Sequence, residues 1–170
     1  MRRAIGLILF AALVSACGFQ LRGEARLPAY MERTFVAVAD DSTVFVRELG
    51  LLLEANGITV VDKPGPEAAT LRIDAQNIWR QPLSVTGQAR VREFLIVFEV
   101  AWRLEDAQGE VALERSTIRL TRDYSFDEAE ILAAQREEEF LRDNLGRAMA
   151  NQLVRRLEAL RETAASDAAP

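Results

Sequence analysis

Residues 89–104 read ARVREFLIVFEVAWRL, and the period of two in this stretch decides the fold. Phe94, Ile96, Phe98, Val100, Trp102 and Leu104 fall on one side, with Glu93, Glu99 and Arg103 on the other, which is the pattern of a long strand with one face to bury. Leu95, Val97 and Ala101 share the second side with those charges, so that face is neither dry core nor fully polar and suits a large partner or an amphipathic ligand. On the C-terminal side, Asp106-Ala107-Gln108-Gly109 makes a hairpin turn and Glu110 to Tyr124 returns as a strand. On the N-terminal side, Pro82, Ser84, Thr86 and Gly87 mark a turn region between Gln81 and Gln88. Before it, Thr70 to Trp79 alternates, which predicts Leu71, Ile73, Ala75 and Trp79 on one face and Arg72, Asp74 and Gln76 on the other.

The remaining elements supply the cover. Thr34 to Ala39 is a β-branched apolar run and predicts a strand. Asp40-Asp41-Ser42 offers capping oxygens to a helix from Val44 to Asn56 that stops at Gly57. The short apolar run Ile58 to Val61 leads into the breaker-rich DKPGPE. Ser125-Phe126-Asp127 can cap a final helix from Glu128 to Arg161, with a break near Gln135, whose Leu141, Leu145, Met149, Leu153, Leu157 and Leu160 form an apolar stripe. The order β-α-β-β-β-α predicts an α+β fold, two helices packed on one face of a mostly antiparallel or mixed four-stranded sheet. The 170 residues, 49% hydrophobic and 28% charged, suffice for one globular domain, placed at 32–162. Segment 17–31 reads as a tether and 163–170 as a disordered tail.

Residues 1–16 have the layout of a signal peptide. Arg2 and Arg3 precede the apolar run Ala4 to Val14, which is shorter than the roughly 20 residues needed to span a bilayer. Val14-Ser15-Ala16-Cys17 resembles a bacterial lipobox, which implies a diacylglyceryl thioether on Cys17 and a palmitate-type acyl chain on its new amino group. A secretory cut after Ala16 is the alternative. Against it, the chain's single cysteine stands at the junction, and a free thiol suits an oxidising compartment poorly. Two or three acyl chains anchor stably where one does not. Gly18, rather than an aspartate after the cysteine, resembles an outer-membrane address.

Catalytic chemistry has little to work with. The chain has no histidine and one cysteine, which removes Ser/His and Cys/His pairs and the common zinc sites. Lys63 sits beside Pro64 in a turn, and the acid pairs Asp40-Asp41 and Asp127-Glu128 and the run Glu137 to Glu139 lie at or near helix starts, where capping and solvation account for them. Gly18 and Gly23 have a phosphate-loop spacing, but Glu24 follows instead of a lysine. The 26 acidic residues outnumber the 21 basic ones, and loss of Arg2 and Arg3 with the leader widens the gap, which argues against bulk nucleic-acid binding. The expectation is a non-enzyme with neither metal nor cofactor. Arg80, Arg90 and Arg92 flank the 81–88 turn, so a hairpin would gather them at one end of the sheet, where guanidinium groups could grip phosphate or carboxylate. The competing expectation is surface arginines paired with Glu93 or other acids.

Taken in order, CGFQLRG at 17–23, NGITVVD at 56–62, GQARVREFLIVFEVAWRL at 87–104, RDYSFD at 122–127 and QLVRRL at 152–157 resemble the LPS-assembly lipoproteins of the LptE family. The resemblance implies an α+β domain lipid-anchored to the periplasmic face of the outer membrane, seated as a plug in the β-barrel translocon subunit LptD. It also implies a role in delivering lipopolysaccharide to the cell surface, with some contact to that lipid. Arg80, Arg90 and Arg92 are the candidate contacts by position and charge, because lipid A carries phosphates. A scaffold for outer-membrane protein assembly or envelope architecture, without lipopolysaccharide binding, is the other function consistent with these features.

Overall fold

The computed structural model describes residues 27–85 and 91–167. Five strands, β1 (Arg33–Ala37), β2 (Thr59–Val61), β3 (Ala69–Val85), β4 (Val91–Glu105) and β5 (Val111–Ser125), form one sheet in the order β2-β1-β3-β4-β5. Helix α1 spans Val44–Ala55 and helix α2 spans Ile131–Asp167. The fold class is the expected one, two helices on a mixed sheet, but with five strands rather than four. The additional strand is β2, made by the apolar run that ends at Val61. Helix α1 crosses over and returns the chain parallel to β1, with Arg33 opposite Thr59 and Phe35 opposite Val61, so three residues suffice to close that edge. β1 also pairs in parallel with β3, whereas β3, β4 and β5 form an antiparallel meander.

The helix-facing side of β4 is the one its periodicity predicts. Ile96, Phe98, Val100, Trp102 and Leu104 lie in the core with Phe45, Leu49 and Leu53 of α1 and Leu145, Met149, Leu153 and Leu157 of α2. Phe45 meets Phe98 edge-on at 5.8 Å between centroids. At Gly146 a side chain would stand 3.3 Å from the Phe45 nitrogen and from Val44 Cβ, so the missing Cβ lets α2 approach the start of α1 closely.

β3 departs from its expected phase. Ile73 is opposite Trp102 but Ala75 is opposite Ala101, so Asp74 is an extra residue and the strand bulges there. One inserted residue turns every following side chain over. Leu71 and Ile73 therefore enter the core, while Ala75 and Trp79 lie on the helix-free face and Gln76 on the helix side, the reverse of the uninterrupted alternation. On the helix-free face Trp79 is opposite Val97, and the Arg119 guanidinium lies 5.5 Å from the Trp79 ring centre. Beneath this pair Val97 is fully buried, although none of the described helices covers it. Arg72, Arg103 and Arg115 share that face with Glu105 and Asp74 at 3.1 to 3.9 Å.

The helix ends also differ in detail. Thr43, not the preceding acids, caps α1, its hydroxyl accepting from the Val46 N–H at 3.3 Å. Asp40 instead folds back to accept from the Ser42 N–H and hydroxyl. Gly57, at φ 81°, ends that helix. Asp127 caps a 3-10 turn at Glu128–Glu130, and α2 then runs without a break at Gln135 and on to Asp167, into the expected tail. At the other end Leu27 and Met31 are buried in the core, inside the expected tether.

Two halves result. β1 loses contact with β3 after Arg72, and α1 begins level with Gly146. Among the described residues, the sheet beyond those points is three strands wide and α2 alone covers it.

Candidate functional site

At this upper end Pro82, Phe94 and Tyr124 stand side by side across β3, β4 and β5, and Arg80, Ile96 and Arg122 form the next row. Phe94 stacks on Tyr124 (5.7 Å, 25°) and meets Phe126 edge-on at 5.3 Å. The Arg80 guanidinium lies 4.7 Å from the Phe94 ring centre, a cation–π contact.

Glu138, on the second turn of α2, is the polar centre of the cluster. Its Oε2 accepts from Arg80 Nη1 at 2.6 Å and from the Tyr124 hydroxyl at 2.7 Å. Its Oε1 accepts from Arg142 Nη2 at 2.7 Å and Nε at 3.0 Å. Burial alone would raise the Glu138 pKa, but the bonds from Tyr124, Arg142 and Arg80 together outweigh it and hold the carboxyl below its ordinary value. Burial raises the Tyr124 pKa, helped by its bond to Glu138. The bond to Tyr124 leads the causes that raise the Arg80 pKa.

Of the residues singled out from sequence, Arg80 and Arg92 reach the same end of the molecule but enter separate recesses. Arg80 borders a groove against α2 that Arg142 shares. Arg92 lines a cleft of about 430 Å³ with Phe126, Asp127, Glu130 and Glu137, and its carbonyl accepts from the Phe126 N–H at 2.8 Å. Arg90 and Cys17 lie outside the described residues. Arg80 is thus paired with an acid, as the competing expectation had it, though with Glu138 rather than Glu93. Sequence reading missed Tyr124, Glu138 and Arg142. The Glu138–Arg142 spacing of i,i+4 is visible in the sequence, whereas the ties from α2 to β3 and β5 exist only once the sheet is assembled.

Among the described residues no helix is long and apolar enough to cross a membrane, and no cluster of three or more acids, histidines or cysteines is placed to hold a metal.

Comparison with known proteins agrees with this architecture. The LPS-assembly lipoprotein LptE of Photorhabdus laumondii is 26% identical over 157 residues, covering 91% of this chain and 85% of its own length. Among solved structures, lipoprotein B of Nitrosomonas europaea matches with a TM-score of 0.71 and 31% identity, over 85% of this chain and 93% of that one. A minor lipoprotein of Acinetobacter baumannii matches with a TM-score of 0.66 and 25% identity, over 79% and 96%. The family model described as LptE, lipopolysaccharide-assembly, matches residues 31–157, from the buried Met31 to the last core leucine of α2, and the chain belongs to that family.

Proposed function

We propose that this chain is a non-catalytic lipoprotein of the outer membrane that plugs and supports the β-barrel LptD during lipopolysaccharide assembly, and that its upper end meets lipopolysaccharide. Lipid chains on Cys17 hold it to the inner leaflet. Arg80, Arg92 and Arg90 are the basic residues offered to the phosphates of the lipid.

The observation that carries this reading is the polarity of the domain. The chain enters at Leu27, just before β1, and β1 runs parallel to the start of β3. On this reading an anchor preceding Leu27 joins the domain at its lower end, and the basic and aromatic cluster sits toward the far end of the 17-residue strand β3, which spans about 55 Å at ~3.3 Å per residue. The ten residues from Cys17 to Arg26 reach at most about 35 Å. An anchored domain standing upright would hold the cluster well away from its own leaflet, where a plug must work. Exposed apolar side chains at that end, Leu83, Ile131 and Leu132, accompany the arginines, and together they match a ligand with phosphates above acyl chains.

Affinity purification of the tagged chain from native membranes tests the partnership, with stoichiometric recovery of a large β-barrel expected. The second reading, a scaffold without lipid contact, draws on the closure of Arg80 onto Glu138. Depletion of the chain separates the two, since unchanged surface lipopolysaccharide would leave only the scaffold.

A further inference from the structure

The Glu138 carboxylate takes four hydrogen bonds from three side chains on three elements, and it lies beneath them. Its side chain is 15% exposed, against 47% for Arg80 and 32% for Arg142. Two guanidinium groups aimed at one pair of oxygens from different elements is the arrangement that recognises a phosphate. The groove they border, about 490 Å³ and open to solvent, also carries Glu139. Two positive and two negative side chains cancel there, so an anion entering the groove gains no net attraction while Glu138 keeps its place.

Glu138 is also the polar tie between the sheet and the first turns of α2, which lie beyond the start of α1, through Arg80 on β3 and Tyr124 on β5. Resting on the reading that Arg80 meets phosphate, we propose that Glu138 is a built-in competitor, occupying the Arg80–Arg142 anion site until a phosphomonoester displaces it and releases the start of α2. Binding of an anionic headgroup is thereby converted into a movement of the helix. The self-pairing of Arg80 is then the resting state of the site.

The test uses the full chain in detergent, with pyrophosphate or with micelles doped with a bis-phosphorylated glycolipid or its dephosphorylated counterpart. Glu138→Gln removes one unit of negative charge from between the arginines and should tighten binding of the phosphorylated micelles about tenfold, with no change for the dephosphorylated ones. Adding Arg142→Ala should abolish most of that gain. An equal gain for pyrophosphate identifies phosphate itself as the ligand, and a gain confined to micelles identifies the lipid headgroup. If Arg80→Ala weakens binding while a folded Glu138→Gln variant binds no better than the parent, the competitor is refuted and the phosphate contact stands. If Arg80→Ala binds as the parent does, the phosphate contact itself fails. A measurement on the unaltered chain needs no variant: saturation should speed amide exchange several-fold across 131–143 and leave 145–157 unchanged, and unchanged or slower exchange across 131–143 overturns the proposal.

Discussion

The lower and upper halves of this domain solve the same problem, covering a twisted sheet, by different means. In the lower half five strands meet two helices, and the cover is apolar and interlocked, with Trp102, Leu104, Leu49, Leu53, Met149, Leu153 and Leu157 essentially inaccessible. In the upper half three strands meet one helix, and the cover rests on a stacked aromatic row and on one carboxylate shared by two arginines and a tyrosine. Burying apolar area stabilises without regard to pH or direction, whereas a half-exposed ion cluster contributes little and can be exchanged for another ligand. The lower half is built to stay closed and the upper half to open.

Substitutions can break or sharpen this contrast. Trp102→Ala should cost about 3–5 kcal/mol in denaturant unfolding of the whole domain. Trp102→Phe should cost much less, because among the described residues the buried indole N–H has no hydrogen-bond partner. Gly146→Val forces a branched side chain against Val44 and Phe45 and should cost roughly 1–3 kcal/mol by prising the helices apart. Tyr124→Phe removes one bond to Glu138 and should cost about 1 kcal/mol, read as faster amide exchange in the first turns of α2 with little change around Leu153. Arg72→Ala, on the helix-free face, breaks an ion pair whose arginine is 40% exposed and should stay within about 0.5 kcal/mol.

Acid distinguishes the halves without mutation. Because the folded Glu138 pKa is lowered, its contribution is fully present above the ordinary glutamate pKa of about 4.3 and is lost as pH falls through the lowered folded value. Exchange at 131–143 should therefore rise in that acid window before exchange at 145–157 does.

Much of the lower half was legible in the sequence because its signals are local and repeated. The β4 alternation, the stop at Gly57 and the α2 stripe are each written in a few residues. β2 escaped because three residues are too few to show a period and only pairing with β1 makes them a strand. The phase of β3 beyond Asp74 escaped because a bulge belongs to the pairing of two strands, not to either sequence alone. At the site, position and charge picked out Arg80 and Arg92, which the folded sheet brings to one end. The partner of Arg80 stands 58 residues further along the chain, and nothing local announces it.

Leu83 and Val111 provide a matched pair for the central claim, being 52% and 51% exposed at opposite ends of the sheet. A photo-crosslinking residue placed at each position in living cells should yield a lipopolysaccharide adduct from position 83 and little from position 111. Equal adducts from both, or an adduct from position 111 alone, would contradict the assignment of the upper end as the lipid-contacting one.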